Sequence, residues 1–181
     1  MKEIEVKASV NNASVLREKL KSAGWQPLET AVQDDRVYIK NGIDYSAIPP
    51  GTIFLRLREQ LGRKTFTFKQ RLKKEDELQC LEYESVIENP EAISDMLKAL
   101  DFYEVVRVKK SREAARLHDM EICLDDVEGL GTFIEVERMV DDESTGDQVQ
   151  EELVAFLETL GISKTDRVTV GYDTLVYRST H

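Results

Sequence analysis

Three predicted strands of this 181-residue chain share one arrangement, in which two glutamates are separated by a single residue. Side chains two positions apart on a β-strand point to the same face, so each segment would bring two carboxylates together. Like charges that close repel, and a bound cation would remove the repulsion. The arrangement therefore predicts a metal-dependent function. The three pairs are Glu3 and Glu5, Glu82 and Glu84, and Glu135 and Glu137.

Basic side chains are sorted in a similar way onto other predicted strands. Arg56 and Arg58 alternate with leucines, Lys110 and Arg112 form a second pair, and Lys69 alternates with phenylalanine. For any single strand, a charged face in contact with water is the ordinary explanation. The acidic pairs and the basic pairs lie on different strands, which argues against this explanation, because strand faces in contact with water usually carry charges of both signs. Since a guanidinium can bond two phosphate oxygens and carboxylates bind Mg²⁺, the pattern favours a metal-bound polyphosphate.

The elements that must position these residues follow from hydrophobic periodicity. Apolar residues recur at helical spacing after an Asn11 or Asn12 cap, after Asn89 and Pro90, and over residues 149–160. Strands are predicted at the N-terminus and at residues 33–40, 52–59, 64–70, 81–87, 105–112, 120–125 and 133–140, with a hairpin turn at Gly62-Arg63. Residues 166–177 fit a short strand or a helix.

The predicted elements indicate an α+β fold with a mostly antiparallel sheet or barrel. Three amphipathic helices need apolar sheet surface to cover. The leucine and phenylalanine faces of the strands should therefore point outward to the helices, and the charged faces should point inward. Buried charges are costly without partners, so acidic and basic strands are expected to face each other and a bound ligand.

Composition excludes several classes of function. With 41% hydrophobic and 33% charged residues, the chain should form one globular domain. The net charge of -10 argues against nucleic acid as the main partner. No apolar run is long enough to span a membrane and no signal peptide is evident, so we expect a cytoplasmic protein without a membrane partner. Cys80 and Cys123 are expected to be reduced thiols.

The charged motifs occur in the order found in one protein family. Glu-x-Glu-x-Lys opens the chain and ends at Lys7, and the other motifs lie at 55–58, 67–69, 82–84, 110–112, 124–137 and 171–175. In this order they resemble the CYTH family, also called triphosphate tunnel metalloenzymes, which includes class IV adenylyl cyclases and thiamine triphosphatases. The resemblance covers nearly the whole chain and implies a single CYTH domain over residues 1–181.

The resemblance implies a closed eight-stranded antiparallel β-barrel, a tunnel, with helices packed outside. It implies that Mg²⁺ or Mn²⁺ binds the first and last glutamate pairs, which are Glu3, Glu5, Glu135 and Glu137. The residues implied to contact the triphosphate or line the tunnel are Lys7, Arg56, Arg58, Lys69, Glu82, Glu84, Lys110, Arg112 and Asp125. Lys7, Glu5 and Glu137 are the candidate catalytic residues, with Lys7 a candidate general base.

Several activities fit these residues. The first is hydrolysis of a small-molecule triphosphate, which could be inorganic triphosphate, a nucleoside triphosphate or thiamine triphosphate. The second is a class IV adenylyl cyclase, which converts ATP to cyclic AMP and pyrophosphate; residues 33–35 and 44–45 resemble that cyclase-like branch. A non-catalytic polyphosphate-binding module is disfavoured, because binding alone needs mainly basic residues. The sequence leaves the substrate and the oligomeric state open, and a homodimer is compatible with it.

Overall fold

The structure, a computed structural model, describes residues 2–49, 51–71, 80–140 and 146–181. Within these ranges the chain forms nine β-strands and four α-helices. In chain order they are β1 (Lys2–Ser9), α1 (Ala13–Ser22), β2 (Thr30–Lys40), β3 (Ile53–Gln60), β4 (Arg63–Arg71), β5 (Cys80–Val86), α2 (Pro90–Ala99), β6 (Phe102–Leu117), β7 (Met120–Val127), β8 (Gly131–Val140), α3 (Gly146–Thr159), β9 (Arg167–Val168) and α4 (Tyr172–Thr180).

The strands form one large sheet with the hydrogen-bonded order β5-β4-β3-β2-β6-β7-β8-β1-β9. Strand β1 pairs antiparallel with β8 and β9, and β3 pairs antiparallel with β2 and β4. An α+β fold with a large antiparallel sheet is therefore confirmed. Among the described residues the order ends at β5 and β9 and hydrogen bonds do not close it, so the closed eight-stranded barrel is not confirmed. The two-residue strand β9 and the helix α4 occupy the region that the sequence left open.

Two helices begin where the sequence predicted caps. The Asn12 side chain accepts a hydrogen bond from the backbone N–H of Val15 at 3.1 Å, and Asn89 accepts one from Ala92 at 3.0 Å. Each bond satisfies a backbone donor that has no partner within the helix. Pro90 occupies the first turn of α2, where a missing N–H costs nothing. The caps thus fix where α1 and α2 begin after their preceding strands.

The hairpin between β3 and β4 turns one residue earlier than predicted. Leu61 and Gly62 have φ angles of 50° and 75°, and Arg63 is already the first residue of β4. Two consecutive positive φ angles are typical of the type I′ turn, whose twist matches that of the flanking strands. The sequence prediction assigned the turn to Gly62-Arg63 because glycine marks it; the strand twist places leucine in its first central position.

The described chain divides into two compact units. The first unit comprises residues 1–30, 111–127 and 131–169, and the second unit comprises residues 31–110, 128–130 and 170–181. Strand β6 contributes residues to both units. The single domain predicted over residues 1–181 stays a prediction. Among the described helices, none combines the length and the apolar character needed to cross a bilayer.

In the first unit, α1 and α3 cover one face of β1, β7 and β8. The buried apolar cluster on this face includes Ile4, Val6, Ala8, Leu16, Leu20, Ile122, Leu124, Ile134, Val136, Leu153 and Leu157. Trp25 is fully buried there and donates its indole N–H to the carbonyl of Ile122 at 3.0 Å. Because strand side chains alternate, Glu5 and Lys7 lie on the opposite face. The predicted packing of the apolar strand faces against the helices is thus found in this unit.

In the second unit, α2 covers the leucine face of β3. Tyr38, Leu55, Leu57 and Leu97 form its buried cluster, with Phe68 packed against it. Arg56 and Arg58 alternate with the two leucines and lie on the opposite face. A separate cluster contains Val37, Ile39, Tyr45, Phe54 and Val106, with Tyr177 of α4 packed against it. The hydroxyl of Tyr45 donates to Asp173 at 2.6 Å, which ties α4 to this unit.

Candidate functional site

The polar face of the first unit is the side of β1, β7 and β8 that faces away from α1 and α3. Its residues are Glu5, Lys7, Cys123, Asp125, Glu135 and Glu137. In the register of β1 and β8, Glu5 lies opposite Glu137 and Lys7 lies opposite Glu135. Opposed Cβ atoms in antiparallel strands are about 5 Å apart. The structure thus brings the first and last glutamate pairs onto neighbouring strands.

Glu3 belongs to the same face of β1 by alternation and lies opposite Met139. Its side chain falls outside the described side chains, so its predicted role as a metal ligand stays a prediction. Among the side chains that the structure does describe, no three of the metal-binding types are grouped closely enough to hold an ion as they stand.

The positively charged ammonium group of Lys7 lies between the carboxylates of Glu5 and Glu135. Its ammonium nitrogen lies 3.1 Å from Glu135 Oε1 and 3.5 Å from Glu5 Oε1, and the lysine is only 3% exposed. Burying charge at such a site costs free energy unless an opposite charge offsets it. Mg²⁺ and Mn²⁺ prefer carboxylate oxygens as ligands. The side chains of Glu5, Glu135 and Glu137 are therefore of the chemical type that binds a divalent ion.

Arg112 ties β6 to the carboxylates of β7 and β8. Its Nε and Nη2 donate to the two carboxylate oxygens of Asp125 at 2.7 and 2.6 Å, and Nη2 also contacts Glu135. Asp125 is fully buried. Burial alone would lower the pKa of Arg112, but the charges of Glu135 and Asp125 outweigh it and raise that pKa well above its ordinary value. Arg112 is therefore a fixed positive charge with a fixed orientation.

Sequence reasoning missed Cys123 as a residue of this polar face. Cys123 lies opposite Glu135 in the register of β7 and β8 and is fully buried. Burial raises the pKa of its thiol, which keeps the sulfur protonated. Its position two residues before Asp125 was the available signal, because alternation places both on one face.

The polar face of the second unit combines arginine and lysine with the middle glutamate pair. Arg56 Nη2 donates to Glu82 at 3.1 Å and to Thr67 Oγ1 at 3.2 Å, and it lies 3.6 Å from Glu84 Oε2. The ammonium of Lys69 lies 2.7 Å from the other Glu82 oxygen. The middle pair therefore orients basic side chains on neighbouring strands.

The electrostatics of this face favour an anionic ligand. Burial lowers the pKa of Arg56, and the neighbouring Arg58 lowers it further. Burial also opposes ionisation of Glu82, but Lys69 and Arg56 outweigh it and lower the pKa of that carboxyl. Among the described atoms, the buried Nε of Arg56 has no hydrogen-bond acceptor. An unsatisfied buried donor is costly, and a phosphate oxygen is an acceptor of the right charge.

Arg58 has a partner that the sequence analysis did not identify. Asp35 of β2 lies directly opposite it, and two bonds of 2.7 Å run from Arg58 Nε and Nη2 to the two carboxylate oxygens. Asp35 is 6% exposed. Burial favours the neutral acid, but the hydrogen bonds and charge of Arg58 outweigh it and lower the pKa of Asp35 from 3.8 to about 2.

This pair predicts a specific acid dependence of stability. Because the folded-state pKa of Asp35 lies below its unfolded value, the stabilisation is complete above about pH 4 and is lost as the pH falls towards 2. A depression of this size corresponds to ~2 kcal/mol. Urea unfolding of the wild type and Asp35→Asn from pH 6 to pH 2 should show a smaller decrease in the variant. Parallel decreases would contradict the prediction.

Lys110 and Arg112 both lie on β6, but they belong to different compact units. Lys110 belongs to the second unit and Arg112 to the first. The ammonium of Lys110 lies 4.5 Å from the ring centre of Tyr172, and Lys110 is buried. A cation over an aromatic face is attracted by the ring quadrupole. The first turn of α4 thus holds one of the predicted phosphate-binding cations.

The chain is similar to known proteins over nearly its whole length. The family model described as "CYTH domain" matches residues 1–172. "Putative adenylate cyclase MJ0240" from Methanocaldococcus jannaschii is 34% identical over 176 residues, which are 95% of this chain and 97% of that protein. The PH1819 protein of Pyrococcus horikoshii OT3 superposes with a TM-score of 0.82 at 27% identity, covering 97% of this chain and 98% of the other. For the PH1012 protein of the same organism the TM-score is 0.78 at 25% identity, with 96% and 98% covered.

Proposed function

The chain belongs to the CYTH domain family, and on this premise we propose that it is a divalent-metal-dependent triphosphatase. Its substrate would be inorganic triphosphate, a nucleoside triphosphate or thiamine triphosphate, bound in the charged tunnel that the family resemblance predicts. The observation that carries the proposal is the burial of paired acidic and basic side chains on the faces opposite the helices. Such burial is costly without ligands or partners, and it has the charges that a metal-bound triphosphate requires.

The metal is assigned to Glu5, Glu135 and Glu137, together with Glu3. A divalent ion held there would neutralise these carboxylates and polarise phosphate oxygens. Lys7, held by Glu5 and Glu135, acts as a charged donor to the triphosphate. The role of Lys7 as a general base stays a prediction.

Binding of the phosphates is assigned to basic side chains that are already oriented in the folded chain. Arg56 and Lys69 are held by Glu82, Arg58 is held by Asp35, and Arg112 is held by Asp125 and Glu135. Donors fixed in advance stabilise charge that develops in a transition state without reorganising during the reaction. In phosphoryl transfer, such positioning and charge stabilisation supply most of the catalysis.

Product analysis tests the proposal. The protein is incubated with tripolyphosphate, ATP or thiamine triphosphate and with Mg²⁺ or Mn²⁺, and the products are separated by ion-exchange chromatography. We expect metal-dependent release of orthophosphate from at least one substrate. Tight binding of tripolyphosphate without turnover would instead identify a non-catalytic binding module, and neither binding nor turnover would contradict the proposal.

A class IV adenylyl cyclase is the alternative function. It is favoured by the 34% identity to a protein whose name describes a putative adenylate cyclase. Both activities would use the same residues to bind the phosphates. They differ in the nucleophile, which is water in hydrolysis and the ribose 3′-hydroxyl in cyclisation. The same assay separates them, because cyclisation yields cyclic AMP and pyrophosphate from ATP, whereas hydrolysis yields orthophosphate.

A further inference from the structure

We propose that Asp35 is a positioning residue that acts through Arg58 and determines how that guanidinium meets a triphosphate. The inference rests on the proposed function, since it concerns the orientation of a side chain assigned to phosphate binding. Asp35 touches neither the predicted metal ligands nor the glutamate pairs in the contacts described above. Asp35 hydrogen-bonds to Arg58, which lies opposite it on β3, and its charge also acts on Arg56 and Lys110 at longer range.

The geometry of the pair fixes the plane of the guanidinium. Both carboxylate oxygens of Asp35 accept hydrogen bonds of 2.7 Å, one from Nε and one from Nη2 of Arg58. A two-point contact of this kind prevents rotation about the terminal torsion of arginine, which a single bond does not. Thr65 of β4 lies opposite Arg58 on its other side and is also buried, so Arg58 is flanked by buried residues on both neighbouring strands.

The two arginines of β3 are held in different ways. Arg56 lies opposite Val37 on β2, and its carboxylate partners are Glu82 and Glu84, whose side chains are 34% and 37% exposed. The Asp35 side chain is 8% exposed. Because solvent competes less for a buried carboxylate, and because Arg58 makes two bonds to one carboxylate, we expect Arg58 to be held in a more fixed orientation than Arg56. We therefore assign Arg58 to a contact with the triphosphate that depends on the orientation of the guanidinium. Loss of this orientation should slow the chemical step more than it weakens substrate binding.

The neighbouring residue provides a matched control. Asp34 makes the same two-point pair with Arg107, also with two distances of 2.7 Å. Alternation places this pair on the opposite face of β2, and its side chains are 28% and 53% exposed. The variants Asp34→Asn and Asp35→Asn thus remove one carboxylate charge each from adjacent positions, but only the second changes the polar face of the second unit.

The experiment measures triphosphate hydrolysis and tripolyphosphate binding for the wild type, Asp34→Asn, Asp35→Asn and Asp35→Glu. We expect Asp35→Asn to lower kcat about 10- to 100-fold with a change in KM of less than about threefold, since misplacing a positioned group has effects of that size. Asp34→Asn should stay within about twofold of the wild type. Asp35→Glu, which keeps the charge and both acceptor oxygens, should recover part of the lost kcat.

A double-mutant cycle tests whether Asp35 acts through Arg58. In an Arg58→Gln background, Asp35→Asn should change kcat by less than about twofold, because the group that it orients is already absent. The double variant also removes both members of the buried pair, so it remains informative if Asp35→Asn alone fails to fold. Circular dichroism and thermal unfolding establish that each variant is folded.

The outcomes separate this inference from the proposed function. If the wild type hydrolyses a triphosphate and Asp35→Asn behaves like Asp34→Asn, the positioning role is overturned and the proposed function stands. An equal loss of kcat on the Arg58→Gln background would also overturn it, because Asp35 would then act independently. If the wild type neither binds nor hydrolyses any triphosphate, the proposed function fails and this inference fails with it.

Discussion

Replacing Arg112 by glutamine is expected to lower the free energy of unfolding by about 3–5 kcal/mol, the largest stability effect that we predict for a single substitution. Arg112 contacts the carboxylates of Asp125 and Glu135, which are 0% and 5% exposed. Removing the guanidinium takes a full positive charge away from two buried negative charges, and water cannot replace it. Urea unfolding at pH 7, followed by circular dichroism, measures the loss.

Arg17→Gln is the matched control for this substitution. Arg17 and Glu113 form a two-point pair in the same unit, with distances of 3.1 and 2.6 Å, but their side chains are 32% and 20% exposed. Solvent can replace the lost contact at such a site, so the expected loss is below about 1 kcal/mol. Equal losses for Arg112→Gln and Arg17→Gln would show that burial does not decide the strength of the Arg112 contacts.

Replacing Glu5 by glutamine is expected to lower metal-dependent turnover by about 10²–10³-fold while the chain stays folded. Glu5 lies opposite Glu137 and next to Lys7, so it belongs to the carboxylates assigned to the metal. An amide of the same size keeps the packing but lacks the charge that binds a divalent ion. Initial rates over a series of Mg²⁺ concentrations should show both a lower maximum and a higher Mg²⁺ requirement.

Glu18→Gln controls for the removal of a carboxylate from the first unit. Glu18 lies on α1, its side chain is 76% exposed, and it pairs with Lys21 at 3.8 Å. We expect turnover and the Mg²⁺ requirement of this variant to match those of the wild type. A folded Glu5→Gln protein with the wild-type rate would refute the metal site assigned to the glutamate pairs, whatever the control shows.

Local sequence determined where α1 and α2 begin and which strand side chains share a face. Asn89 caps α2 where predicted, and Asn12 is the one of the two predicted candidates that caps α1, because a cap is a contact between residues three positions apart. Arg56 and Arg58 share a face opposite Leu57, because alternation is a property of an extended backbone. The ordered motifs also indicated the family, since each motif is a short run of residues that can be read without knowing its neighbours in space.

Only the tertiary structure decided which charged residues meet. The register of β1 and β8 sets Glu5 against Glu137, and the register of β2 and β3 sets Asp35 against Arg58. A shift of one residue in either register would move every side chain to the other face and break these pairs. Such registers are fixed by contacts between residues far apart along the chain, chiefly the packing of apolar faces against helices. For that reason the sequence predicted which residues carry charge, and the folded chain determined their partners.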